Sequence, residues 1–166
     1  VLVFDWCYHG SVDETLVTLD RDGRPVPRAG NIGPQVDPAL TTVVVPFNDV
    51  PALEAALATG EIAVVLAEPA LTNIGIVLPD PGFHDALRAL TRKYGTLLAI
   101  DETHTICAGP GGATRAWGLE PDLFVIGKTI GGGMPAAAYG CTAEVAERIN
   151  ALLSDKSIDT SGVGGL

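Results

Sequence analysis

Two side chains of complementary chemistry stand at matching places in the chain. Lys128 follows the apolar run Leu123-Phe124-Val125-Ile126 and Gly127, and it precedes the turn Gly131-Gly132-Gly133. Asp101 ends a second apolar run, Thr96-Leu97-Leu98-Ala99-Ile100. Delivered to the ends of two neighbouring buried strands, an amine and a carboxylate face each other across one ligand. The amine can form a Schiff base with an aldehyde. The carboxylate can hold a pyridine nitrogen protonated, so that the ring serves as an electron sink. Pyridoxal phosphate is the cofactor that requires both groups.

The elements that must position this pair alternate between strand and helix. The pattern predicts strands over 1–4, 42–46, 62–67, 96–100, Leu123–Ile126 and 136–141. A helix opens at Asn48 or Asp49 with Leu53, Ala56 and Leu57 on one face. A second helix over 79–94 carries Phe83, Leu87 and Leu90, with Gly95 as its stop, and a third covers 142–153. Residues 20–38, rich in Gly, Pro, Asp and Arg, read as a long surface loop, and 108–114 as a glycine-rich loop. Such alternation predicts an α/β fold, a three-layer sandwich with a mostly parallel sheet. The continuous apolar character of Val64-Val65-Leu66-Ala67 suits strands covered on both faces. In such sheets, ligands bind beyond the carboxyl ends of the strands, which is where Glu68, Asp101 and Lys128 fall.

Composition excludes several functions. A net charge of −10 leaves no basic patch to displace counterions from a nucleic acid. No apolar stretch approaches the roughly 20 residues that span a bilayer, and no basic leader opens the chain. Cys7, Cys107 and Cys141 form neither a CxxC pair nor a zinc pattern, so no metal is expected and free thiols in a reducing cytoplasm are. Gly127-Lys128-Thr129 imitates the tail of a P-loop, but Asp122 stands where that motif needs glycine. The stretch from Gly109 to Thr114 imitates a dinucleotide fingerprint and fails at Thr114.

Lys128, Asp101-Glu102 and Tyr8-His9-Gly10 would each pass alone as a surface lysine, a loop start and a turn. Their combination and order resemble the class III aminotransferases, fold-type I enzymes dependent on pyridoxal phosphate. The matching segments are Cys7-Tyr8-His9-Gly10, Glu68-Pro69 through Asn73-Ile74-Gly75 and Pro79, and the run from Leu87 to Gly95. Then follow Leu98-Ala99-Ile100-Asp101-Glu102, Pro121-Asp122-Leu123, and Gly127-Lys128-Thr129-Ile130-Gly131-Gly132-Gly133-Met134-Pro135. The branch that includes glutamate-1-semialdehyde aminomutase and the β- and ω-amino acid transaminases is the nearest in flavour.

The resemblance implies roles. Lys128 forms the Schiff base with pyridoxal phosphate, and Asp101 pairs with the pyridine nitrogen. Tyr8 stacks on one ring face, in a cofactor-binding segment with His9 and Gly10. Thr103 takes the other face, where the family usually has valine. Glu68 and Asn73 lie near the ring hydroxyl and the substrate. His104 and Thr105 depart from the usual residues, which leaves the substrate open. The implied function moves an amino group between an amino acid or amine and a keto or aldehyde acceptor. Glutamate-1-semialdehyde 2,1-aminomutase, or a remnant without catalysis, is the alternative. The implied complete protein is a homodimer.

Three family features are not found in residues 1–166: a Gly/Ser-rich phosphate-binding turn before the first strand, a late threonine that grips the partner subunit's cofactor phosphate, and a small C-terminal domain. The stretch Ser161-Gly162-Val163-Gly164-Gly165 leads only to Leu166. Residues 1–166 are therefore expected to be the central part of a large cofactor-binding domain.

Overall fold

The structure, a computed structural model, describes residues 1–31 and 37–154. The small-residue stretch 161–165 lies outside the described residues, as do 32–36 of the expected loop. The first strand is β1 (Leu2–Phe4), followed by β2 (Val17–Leu19), β3 (Pro25–Pro27) and β4 (Val43–Val45). Then come α1 (Val50–Leu57), β5 (Val64–Ala67), α2 (Phe83–Tyr94) and β6 (Leu97–Asp101). The chain continues through α3 (Gly112–Ala116), β7 (Leu123–Ile126), β8 (Ala138–Cys141) and α4 (Ala143–Ser154).

Six strands form one sheet in the order β4-β1-β5-β6-β7-β8. Its first five are parallel, and β8 closes the edge antiparallel to β7. Parallel neighbours need crossovers. Helix α1 links β4 to β5, α2 links β5 to β6, and the α3 segment links β6 to β7. This is the mostly parallel α/β arrangement expected from the sequence.

Apolar periodicity decides what is buried. Leu2, Val3 and Phe4 are all inaccessible, as the middle of a covered parallel sheet requires. Leu53 and Leu57 of α1, and Phe83 and Leu87 of α2, pack into the same core as Val65 and Ile100. The Phe4, Phe47 and Phe83 rings meet edge to face with centroids 4.8–5.5 Å apart. Asp49 caps α1, its side chain accepting from the Ala52 N–H at 2.9 Å. Asn48 instead bridges to the Leu78 carbonyl and the Asp80 N–H.

Three expectations need correction. The loop expected over 20–38 contains a strand: β3 pairs with β2 in an antiparallel ribbon. Pro25 and Pro27 oppose Leu19 and Val17, between the hydrogen bonds made at Asp20–Arg24 and Arg28–Leu16. At those non-hydrogen-bonded positions a missing N–H costs nothing. Helix α2 begins at Phe83 rather than at 79, because Pro81 and Gly82 form a turn, with Gly82 at φ 84° and the Phe83 N–H on the Asp80 carbonyl at 3.0 Å. The glycine-rich loop expected over 108–114 runs into α3 from Gly112 onward, whose first amides are satisfied by a buried carboxylate from outside the loop.

The β7–β8 end of the sheet is open among the described residues. All four β8 residues are exposed, and α4 buries only Val145. No helix of the described residues is long and apolar enough to cross a membrane.

Candidate active site

The carboxyl ends of β1, β5, β6 and β7 point the same way, and the residues just beyond them enclose one cavity of about 210 Å³. Tyr8, His9, Gly10, Glu68, Asp101, Thr103, His104 and Lys128 line it, over Val125 and Ile126. Seven of the eight residues selected from the sequence therefore meet. Asn73 does not line the cavity; it is exposed, one residue beyond Thr72.

Tyr8 is placed from three sides. The chain turns after β1 with the Cys7 N–H on the Phe4 carbonyl at 3.0 Å and Trp6 at φ 63°. The Arg28 guanidinium reaches across from the ribbon and donates to the Cys7 carbonyl at 2.6 Å. The Tyr8 N–H donates to Glu68 Oε1 at 3.1 Å.

Asp101 ends β6 and is held by two donors. Its Oδ1 accepts from the Thr103 N–H at 2.9 Å, and its Oδ2 bonds His9 Nδ1 at 2.8 Å. Both side chains are nearly inaccessible, at 3% for His9 and 10% for Asp101. Burial pulls the His9 pKa down, but the hydrogen bonds to Asp101 and Cys7 outweigh it and push it up to about 9. Burial raises the Asp101 carboxyl, and the bonds from His9 and Thr103 overcome that and bring it below its usual 3.8. The pair is thus an imidazolium behind a carboxylate across the neutral pH range. Each Asp101 oxygen keeps capacity for one more donor on its cavity side.

Lys128 takes a strained backbone, with φ 49° in a region L residues seldom occupy. That turn directs its side chain back over the sheet ends. Its ammonium nitrogen lies over the Tyr8 ring, 5.6 Å from the centroid, and 2.5 Å from His104 Nε2. His104 Nδ1 is 2.5 Å from Thr72 Oγ1, and the Thr72 hydroxyl donates to Glu68 Oε2 at 2.6 Å.

The segment after Asp101 is built around Glu102, which is fully buried. Its carboxylate accepts from the Thr105 hydroxyl at 2.6 Å and from the amides of Ala113 and Thr114 at the start of α3. Gly112 is required there: a Cβ would come within 2.7–2.8 Å of the Glu102 carboxylate, and its φ is +68°. One acid thus shapes the turn that carries Thr103 and His104.

His104 and Thr72 were not selected from the sequence as site residues. His104 was visible only as a departure from the family pattern, three residues after Asp101. No spacing in the sequence pairs Thr72 with His104. A larger cleft of about 290 Å³ is lined by Arg88, Arg92 and Glu120 among others. Its two arginines are already paired, Arg88 with Asp122 and Arg92 with Glu120.

The residues at the cavity suit pyridoxal phosphate: an amine, an aromatic face, and a carboxylate backed by a buried imidazole. The family model for the class-III aminotransferases matches residues 1–155. Glutamate-1-semialdehyde 2,1-aminomutase of Sorangium cellulosum is 42% identical over 155 residues, covering 92% of this chain and 36% of that protein. The solved structure of a glutamate-1-semialdehyde aminomutase variant from Pseudomonas aeruginosa PAO1 in complex with PMP superposes with a TM-score of 0.88. It is 55% identical and covers 93% of this chain and 34% of its own. An ω-transaminase from Sphaerobacter thermophilus superposes at 0.78 with 34% identity, covering 98% of this chain and 37% of its own. The chain thus spans about a third of the length of these relatives. With the fold, the strand-end cavity and the match of the family model over residues 1–155 in agreement, this chain belongs to the class-III aminotransferases.

Proposed function

We propose that this chain carries the cofactor-binding centre of a pyridoxal-phosphate-dependent enzyme that moves an amino group between an amino acid or amine and a keto or aldehyde acceptor. One observation carries the reading. The Lys128 amine lies over the Tyr8 ring, in the same cavity as a carboxylate that a buried imidazole keeps ionised. When bound, pyridoxal phosphate supplies an aldehyde that condenses with amines and a ring that takes up electron density.

The chain's own residues divide the work. Lys128 is the amine that holds the cofactor and, once displaced by substrate, carries a proton at Nζ. Asp101 faces the ring nitrogen, and His9 holds Asp101 in its charged form. Tyr8 bears one ring face and Thr103 the other, while Gly10 keeps the loop after Tyr8 close. Glu68 fixes the Tyr8 backbone at the edge of the cavity. Asn73, being exposed, is assigned to the substrate side rather than to the cofactor.

A second reading has a specific observation behind it. Relatives named glutamate-1-semialdehyde 2,1-aminomutase are 42% and 55% identical to this chain. An aminomutase moves the amino group within one substrate, so it needs no separate acceptor. The wider reading takes residues 1–166 as the central part of a larger domain in a cytoplasmic homodimer. The support is the coverage of a third of the relatives' length and the free thiols Cys7, Cys107 and Cys141.

The test is an assay of the full-length protein, supplied with pyridoxal phosphate, over a panel of amines and keto or aldehyde acceptors. Steady amino transfer is expected. Isomerisation of a single amino aldehyde, without an acceptor, would select the aminomutase. Stoichiometric cofactor binding with neither reaction would contradict both.

A further inference from the structure

We propose that Arg28 is a positioning residue for the cofactor, and that the β2–β3 ribbon beside it is part of the site. The inference rests on Tyr8 bearing one face of the cofactor ring. Arg28 does not line the cavity, so its action there passes through the turn that carries Tyr8.

That turn is gripped from the ribbon side at three successive residues. Asp5 Oδ1 accepts from the Thr18 hydroxyl at 2.8 Å and from the Leu19 N–H at 3.1 Å, both in β2. The Arg28 guanidinium lies over the Trp6 ring, 5.5 Å from its centroid. The same guanidinium donates to the Cys7 carbonyl at 2.6 Å and to the Val17 carbonyl of β2 at 3.4 Å. Trp6 has φ 63°, a conformation that an L residue keeps only where its surroundings impose it. The grip on Asp5 and Cys7, one residue to either side, imposes it here.

The bond to Cys7 has a second consequence. The Cys7 carbonyl and the Tyr8 N–H belong to one peptide unit. The Arg28 guanidinium sits at its oxygen, and Glu68 Oε1 sits 3.1 Å from its nitrogen. A peptide is a dipole, negative at oxygen and positive at hydrogen, so the cation and the anion each face the pole that attracts them. Each bond polarises the unit and strengthens the other. Among the described residues Arg28 and Glu68 form no ion pair, so their coupling runs through this shared peptide. Its plane is fixed at both ends, and the Tyr8 side chain departs from it. The place of the Tyr8 ring, 5.6 Å from centroid to the Lys128 amine, follows from that plane.

The test uses the full-length protein and two readouts besides turnover. One is the affinity for pyridoxal phosphate. The other is the induced circular dichroism of the bound cofactor, which reads the tilt of its ring. Arg28→Ala should weaken binding on the order of 10-fold, the share of one hydrogen bond to a charged group, and should change the induced signal. Because Arg28 acts through Tyr8, the loss should vanish in a Tyr8→Ala background. It should shrink in a Glu68→Gln background, where the anion at the other pole is gone. Urea titration identifies the folded variants. Should Arg28→Ala not fold, Arg28→Lys, which keeps the cation but loses the planar fork, carries the same comparison.

Equal losses in all three backgrounds would mean that Arg28 acts on the fold at large, and would overturn the proposal. So would wild-type affinity and signal in Arg28→Ala. The Tyr8→Ala single variant separates this failure from that of the underlying reading. If it weakens binding while the Arg28 variants do not, only the role of Arg28 falls. If it binds the cofactor as the wild type does, the assignment of Tyr8 falls and this proposal with it.

Discussion

At the residue scale, the site depends on one buried charge pair. Asp101→Asn keeps the size of the side chain and its bond to the Thr103 N–H, but removes the charge proposed to face the ring nitrogen. The variant should take up pyridoxal phosphate and lose amino transfer by on the order of 10²–10³-fold, as when a preorganised electrostatic partner is removed. Near-normal turnover would remove Asp101 from its assigned role. The same pair sets a pH dependence. His9 is raised from its usual 6.5 to about 9, so its contribution is complete below 6.5 and is lost as pH rises through 9. Asp101 is lowered, so its contribution is present above 3.8 and fades as pH falls below that. Urea unfolding should therefore give a plateau between about pH 4 and 6.5, with a decline of up to about 3 kcal/mol as pH rises from 6.5 to 9. His9→Asn should flatten the alkaline limb, and an unchanged slope there would show that the pair does not couple to folding.

At the scale of elements, Gly112 is the position where a small change should do most. In Gly112→Ala the new methyl meets the Glu102 carboxylate in a left-handed backbone, so stability should fall by about 2 kcal/mol or more. Because Glu102 also holds Thr105, cofactor affinity should fall with it; full stability by urea titration would contradict this account of the turn. Asp49→Ala, which removes only the α1 cap, should cost about 1 kcal/mol and leave cofactor binding alone. Here the sequence was informative where periodicity and strand ends decide. The sheet strands are legible from Val64–Ala67, Leu97–Asp101 and Leu123–Ile126, because a strand covered on both faces is a plain apolar run. It was silent where one distant side chain decides. Nothing local to 108–114 foretells α3, since its N-terminal amides are satisfied by Glu102, which belongs to another segment. The ribbon was masked by its prolines, which mark loops unless they fall at non-hydrogen-bonded positions. In the site, Lys128, Asp101, Glu68 and Tyr8 are legible because each ends a strand or follows its turn. The Thr72–His104 contact joins two loops 32 residues apart and leaves no spacing to read.

At the scale of the whole molecule, the described residues present large apolar side chains to solvent at one end of the sheet. Met134, Tyr139 and Leu152 are 74%, 70% and 56% exposed, all toward the β7–β8 end and α4. Surfaces of this kind seek partners. Purified 1–166 should therefore self-associate in light scattering and bind pyridoxal phosphate weakly, since a phosphate dianion needs fixed N–H donors at a helix N-terminus or glycine-rich nest. A monodisperse monomer that binds the cofactor tightly would show that these residues build their own phosphate site. The claim on which the rest depends is that Lys128 is the amine that holds the cofactor. The full-length protein is incubated with pyridoxal phosphate, reduced with borohydride and mapped by peptide mass spectrometry. Within this chain the label should fall on Lys128 alone. A label on Lys93 or Lys156 instead, or none, would contradict the assignment.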